Sequence, residues 1–192
     1  MKLLLMMLFV ATSLQAKTIL FIGDSLTEGY GIDSEKSYPS LIQNELGEKV
    51  SIINGSVSGS TTASGLSRLR WFLKSKPEVL VLALGANDGL RGIDLEKSKI
   101  NLEKIIDMAK ENKIKVILAG MMLPPNYGAD YTKEFKNMFE KLAKDKKVEL
   151  IPFLLKGVAA EPEYNLEDGI HPNEKGHEKM KDTVLRYLRP LI

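Results

Sequence analysis

The chain has 192 residues, 44% hydrophobic and 27% charged, the size of one ordinary domain with a full core and the composition of a soluble globular protein. Its formal net charge of +2 is too small to argue for nucleic acid or an anionic membrane as partner. With no cysteine and two histidines, disulfide frameworks, thiolate chemistry, iron–sulfur clusters and cysteine-linked lipid are excluded, and a multi-histidine metal centre is disfavoured.

The first segment, "MKLLLMMLFVATSLQA" (1–16), carries one cation at Lys2, an apolar run from Leu3 to Ala11 and a small-residue end at Ala16. That pattern predicts a signal peptide cleaved after Ala16, and an exported protein, periplasmic or secreted. The run is too short to stay behind as a membrane anchor. The mature chain, 17–192, is expected to be one domain.

Next comes "TILFI" (18–22), a strand that stops at Gly23 with Asp24 and Ser25 directly behind it. "SYPSLIQNELG" (37–47) has helical spacing and leads to the strand "VSIIN" (50–54) and a polar turn from Gly55 to Thr62. The helix pattern "TTASGLSRLRWFLKSK" (61–76) follows, with Trp71 expected on its core-facing stripe. The strand "EVLVLAL" (78–84) ends in Gly85-Ala86-Asn87-Asp88, and "DLEKSKINLEKIIDMAKENK" (94–113) then places Leu95, Leu102, Ile105, Ile106 and Ala109 on one stripe. "KVILAG" (115–120), the helix pattern "DYTKEFKNMFEKLAKDK" (130–146) and "VELIPF" (148–153) precede the loop "EDGIHPNEKGH" (167–177) and a last helix from about Asn173 to Leu188. Continuous apolar runs mean strands covered on both faces. Their alternation with helices predicts a doubly wound, three-layer α/β/α sandwich.

In such a sheet, sites form beyond the carboxyl ends of the strands. Ser25, the Gly55–Thr62 turn and Asn87 each follow one of the first three strands, so all three fall on that edge. Taken singly, Ser25 reads as a turn or helix cap. A serine becomes a nucleophile only beside a base, and the base needs an acceptor that fixes its tautomer. His171 and Asp168, in "DGIHP", fill those two roles from one loop. His177, among Lys175, Glu178 and Lys179 on the last helix, reads as an exposed histidine and is set aside as the base. Acyl transfer also needs donors for an oxyanion. Ser25 N–H, Gly59 N–H and the Asn87 carboxamide are available, although Gly59 and Asn87 each also suit a plain turn.

Taken together, "GDSLTEGYG", the glycine of "SGST", "LGANDGLRG" and "DGIHPN" resemble, in order and spacing, the four blocks of the GDSL or SGNH hydrolase family. The stretches "NGSVSGSTTASGLSRL", "NDGLRG" and "LPPNYG" are similar to its bacterial periplasmic thioesterase, lysophospholipase and arylesterase branch. The resemblance implies a flavodoxin-like five-stranded parallel sheet. It implies Ser25 as nucleophile, Asp168 and His171 as the rest of a triad, and Ser25, Gly59 and Asn87 as the oxyanion hole. It also implies that Leu90, Ile93, Leu123 and Tyr127 flank the acyl group. The α/β-hydrolase elbow G-x-S-x-G is absent, since Thr27 stands at its second glycine. The expected activity is hydrolysis of small acyl esters and thioesters by a monomer, without metal, cofactor or nucleic acid. A carbohydrate O-acetylesterase of the same family is the alternative. A non-catalytic flavodoxin-like binding module is the alternative of another class, and neither G-x-G-x-x-G nor a Walker lysine supports it.

Overall fold

The computed structural model describes residues 16–192, so the expected signal peptide lies, except for Ala16, outside the described residues. Five parallel strands, β1 (Lys17–Gly23), β2 (Val50–Asn54), β3 (Val79–Ala83), β4 (Lys115–Ala119) and β5 (Glu149–Ile151), form one sheet in the order β2-β1-β3-β4-β5. Every pairing is parallel, with Leu20 opposite both Ile53 and Leu80, and Leu82 opposite Leu118. The apolar runs are the reason. Ile19 to Ile22 and Leu80 to Leu82 are fully buried, as strands covered by helices on both faces must be.

Among the described residues seven α-helices complete the fold: α1 (Ser25–Glu28), α2 (Tyr38–Leu46), α3 (Gly65–Phe72), α4 (Ala86–Leu90), α5 (Leu95–Glu111), α6 (Ala129–Lys146) and α7 (Glu174–Leu188). Helix α2 packs on α7, while α3, α5 and α6 lie side by side, which supplies the two outer layers. The stripe of α5 is as its spacing requires: Leu102, Ile105, Ile106 and Ala109 are all at 0% exposure. No helix among the described residues is long and apolar enough to cross a membrane.

Three elements depart from the expectation. Strand β5 stops at Ile151, because Pro152 has no N–H to continue a ladder. The helix expected over 61–76 is regular only across α3, with tight 3-10 turns at Thr62–Ser64 and Leu73–Ser75. Trp71 is not in the core: it is 65% exposed, with the Lys74 ammonium 3.6 Å above its ring. Gly65 and Leu69 carry the buried stripe of α3, and Trp71 stands two residues past Leu69, roughly 200° around the helix.

His177 is the fourth departure and the most consequential. It is 1% exposed, on a stripe with Met180, Val184 and Leu188. Its charged sequence neighbours occupy the other faces of α7. Its Nδ1 accepts the Tyr38 backbone N–H at 3.1 Å, and its ring stacks on that of Tyr38. This histidine joins α2 and α7, the two helices of one outer layer.

Candidate active site

Ser25 opens α1 immediately after β1, and the chain turns there for local reasons. Gly23 has no room for a Cβ, which would strike Thr27 Oγ1. Asp24 caps the helix through its side chain, accepting Leu26 N–H at 3.1 Å. Gly29 ends the helix at φ 94°, a conformation that favours glycine. Thr27 is buried, with its hydroxyl 3.0 Å from Tyr38 Oη. The residue that removes the usual elbow glycine is therefore an anchor for the serine helix.

Ser25 Oγ lies 3.0 Å from His171 Nε2, across 146 residues of chain, and His171 Nδ1 lies 2.7 Å from Asp168 Oδ2. Asp168 Oδ1 accepts the N–H groups of Ile170 and His171, each at 2.9 Å. Those backbone donors, His171 first, with the imidazole in support, pull the Asp168 carboxyl down to about 2. Gly169, at φ 67°, lets the loop fold back on its own carboxylate. The loop is closed by Leu166 N–H donating to His171 O at 2.7 Å, and the Asn165 carboxamide ties it to Val158 O and Glu161 O. The Tyr30 ring packs at 4.6 Å from the imidazole.

Gly59 sits in the turn Val57–Ser60, where Ser60 N–H donates to Val57 O at 3.2 Å, and has φ 75°. Asn87, the second residue of α4, directs Nδ2 to Ser60 O at 3.0 Å and, more weakly, to Asp24 Oδ2 at 3.4 Å. Arg91 Nη2 reaches Asn87 Oδ1 at 3.4 Å and Gly59 O at 3.1 Å. The three loops that follow β1, β2 and β3 are thus tied to one another through Asn87.

Several of these partners were not singled out from sequence. Asp24 is 1% exposed, and burial raises its carboxyl to about 6 against the lowering effect of Leu26 N–H. Asp88 is equally buried, accepting Thr62 N–H at 2.9 Å, Thr62 Oγ1–H at 2.6 Å and Ser98 Oγ–H at 3.0 Å. It holds α4, and with it Asn87, to α5 and the β2 loop. Arg68 donates to Gly23 O at 3.2 Å and Ser60 Oγ at 2.9 Å, and burial lowers its pKa. The available signal was position: each of these charges stands inside or beside an apolar or glycine-rich block.

Of the residues expected at the acyl group, Leu90, Ile93 and Tyr127 are half-buried, and Tyr127 Oη donates to Leu90 O at 3.1 Å. That bond joins the loop after β3 to the loop after β4. Leu123, the fourth, belongs to the core and packs against Gly89. Met122 is the large apolar side chain that this loop exposes, at 37%. Tyr30, Val57 and Ile170, each about half exposed, are further apolar side chains on loops that carry the site.

Residues 21–179 match the model of the GDSL-like Lipase/Acylhydrolase family. The chain is 39% identical to the arylesterase of Vibrio mimicus over 182 residues, covering 93% of this chain and 91% of that protein. It is 35% identical to the thioesterase 1/protease 1/lysophospholipase L1 of Escherichia coli (strain K12) over 190 residues, with 98% and 91% covered. The crystal structure of TesA superposes with a TM-score of 0.88 at 36% identity, across 92% of this chain and all of that one. A family match across most of the described residues, relatives of this identity and a shared five-stranded fold place the chain in the GDSL-like lipase/acylhydrolase family, as an ester hydrolase.

Proposed function

We propose that the protein hydrolyses acyl esters and thioesters through an acyl-enzyme on Ser25. The observation that carries this reading is the continuous relay from Ser25 Oγ through His171 to Asp168, with links of 3.0 and 2.7 Å. Asp168 keeps the proton of the neutral imidazole on Nδ1, leaving Nε2 as acceptor toward Ser25. As Oγ adds to the substrate carbonyl, His171 takes the hydroxyl proton and the carbonyl oxygen becomes an oxyanion. Ser25 N–H, Gly59 N–H and Asn87 Nδ2 are its donors. One Asn87 proton is held by Ser60 O, and the other has only the 3.4 Å contact with Asp24 to give up. His171 then returns the proton to the departing alcohol or thiol. Water, deprotonated by the same imidazole, adds to the acyl-enzyme, and the acid leaves as Ser25 recovers its proton.

The names of the relatives at 35–39% identity, arylesterase and thioesterase/lysophospholipase, support aryl ester, thioester and lysophospholipid substrates over a sugar acetate, the substrate class named for an acetylxylan esterase that matches at 28% identity. Trp71, the sole tryptophan, is seven residues into α3, which runs away from the site edge, so it offers no platform for a sugar there. On the same reading the precursor is exported by its first 16 residues, and the mature enzyme works as a monomer without metal or cofactor. Treatment with a fluorophosphonate followed by peptide mass spectrometry tests the core of the proposal. A single adduct on Ser25, absent after prior denaturation or in His171→Gln, is the expected result; labelling that ignores both would refute an activated serine.

A further inference from the structure

Glu28 closes the helix that Ser25 opens, and its carboxylate reaches across to the loop after β2. Its Oε2 accepts Ser58 N–H at 2.7 Å and also the Ser58 hydroxyl. The backbone turn it grips has an unusual sense. Gly59 stands at φ 75°, whereas Ser58 is not among the residues with positive φ, the combination of a type II turn over Val57–Ser60.

In a type II turn the central peptide, here Ser58–Gly59, is rotated by roughly 150° from its type I orientation. The direction of Gly59 N–H is therefore a choice between two turn conformers. Glycine at the third position makes the type II form accessible without making it exclusive, since glycine adopts either sign of φ with ease. What selects it must hold the residue before. Glu28 holds Ser58 by both of its donors, from the same four-residue helix that places the nucleophile. Arg91 holds the other side of the turn through Gly59 O, at 3.1 Å.

We propose that Glu28 is a positioning residue: by fixing Ser58 it locks the turn in the conformer that aims Gly59 N–H at the oxyanion, and it ties that donor to the helix of Ser25. The proposal rests on Gly59 N–H being one of the oxyanion donors. It assigns the carboxylate no contact with substrate. Its effect belongs to the transition state, where the N–H is used, and not to ground-state binding. The hydrogen-bond acceptor matters, and the charge does not.

The test compares wild type with Glu28→Ala, Glu28→Asp and Glu28→Gln, reading kcat and KM on a short p-nitrophenyl ester, thermal midpoint, and inhibition by an alkyl boronic acid, which adds to the serine and presents a tetrahedral oxygen. Glu28→Ala removes the acceptor and Glu28→Asp withdraws it. Both should lower kcat by about tenfold, part of the hundred- to thousandfold that losing an oxyanion donor outright costs. KM should stay within about twofold, and boronic acid affinity should fall in proportion to kcat. Glu28→Gln keeps an acceptor oxygen at full reach and should restore most of the rate. Wild-type kcat and boronic acid affinity in Glu28→Ala and Glu28→Asp, or a Gln variant as slow as the Ala variant, overturns the proposal. Gly59→Ala separates the two levels of the argument, because alanine resists φ 75° and disturbs the donor itself. If Gly59→Ala is slow while Glu28→Ala is not, Gly59 remains a donor and Glu28 loses its role. If Gly59→Ala keeps full kcat, the donor assignment fails, and the proposal falls with it.

Discussion

The Nδ1 of His177 accepts the backbone N–H of Tyr38 at 3.1 Å, so this histidine is held in its neutral form with its proton on Nε2. Burial lowers its pKa to about 4, against about 6.5 in the unfolded chain. Between these values the unfolded state binds the proton and the native state does not. Stability is therefore complete above about pH 6.5, falls as pH drops toward 4, and levels below that, by about 3 kcal/mol in all. Glutamine keeps an acceptor without titrating. In urea titrations across roughly pH 4–7, the stability of wild type relative to His177→Gln should decline by that amount toward acid, while kcat of His177→Gln stays near wild type. A pH-independent difference would contradict the burial argument.

Asp24 acts in the opposite sense over almost the same window. Its carboxyl, raised by burial to about 6 from 3.8, binds a proton more tightly in the native state. The cost of holding it ionised appears as pH rises from about 4 to 6 and reaches about 3 kcal/mol at neutral pH. Asparagine is an equally good helix cap and carries no charge to desolvate. Asp24→Asn should therefore be more stable than wild type at neutral pH, and the advantage should vanish below about pH 4. Equal thermal midpoints at neutral pH would show that Asp24 is solvated or paired in a way the buried geometry does not allow.

Most of the framework was legible because strands covered on both faces write themselves as unbroken apolar runs, and polar clusters at their ends can then be placed on one edge. Ser25 and Asn87 are found by that rule, and each is where the topology requires; His171 follows from the need for a base. The burial of His177 is hidden because α7 is lined with charge, and a single histidine on an apolar stripe gives little sign of facing inward. Trp71 misleads for the converse reason: a large aromatic next to Phe72 invites burial, yet one helical step separates the two faces. Glu28, Arg68 and Arg91 are invisible for a different cause. Each has a backbone partner on a loop distant in sequence, and periodicity carries no information about those.

Gly176 lies in the first turn of α7, where alanine would ordinarily add about 0.5–1 kcal/mol. Here a Cβ would strike Tyr164 O and come within 2.8 Å of Pro172 Cβ. Both groups flank the loop of Asp168 and His171, so the clash cannot relax without moving the relay. Gly176→Ala should lower stability by about 1–3 kcal/mol and reduce kcat more than KM. A variant more stable than wild type, as helix propensity alone demands, would show that the loop is free to shift.

Asp168 remains ionised across the working range, since its carboxyl is held at about 2. In the Asp168→Asn variant the carboxamide oxygen could still accept the N–H groups of Ile170 and His171, which leaves the amide nitrogen facing His171 Nδ1. That nitrogen is a donor. The imidazole would then carry its proton on Nε2, pointing at Ser25, and could no longer act as base. Asp168→Asn should lower kcat by up to about ten-thousandfold without a matching loss of stability, and raising the pH should not restore it. Near-normal turnover would mean that His171 is oriented by something other than this carboxylate.

Asn87 separates the catalytic reading from the structural one, because its carboxamide has both kinds of work available. Its Nδ2 bonds Ser60 O at 3.0 Å and its Oδ1 receives Arg91 at 3.4 Å, so truncation to alanine unties the loops after β2 and β3. If that is all the side chain does, Asn87→Ala should cost about 1–2 kcal/mol of stability and leave kcat of the folded fraction close to wild type. If Nδ2 also donates to the oxyanion, the same variant should lose a further hundred- to thousandfold or so in kcat, with KM little changed, since that bond strengthens in the transition state. Steady-state kinetics on a short p-nitrophenyl ester, read beside thermal unfolding of the same preparation, separates the two. Asn87→Asp sharpens the distinction. A carboxyl group there would face Asp24 across the present 3.4 Å contact and would replace the two amide protons by an acceptor group, so catalysis should fall at least as far as in Asn87→Ala. An unstable Asn87→Ala with near-normal kcat would leave only the backbone donors of Ser25 and Gly59 to receive the oxyanion.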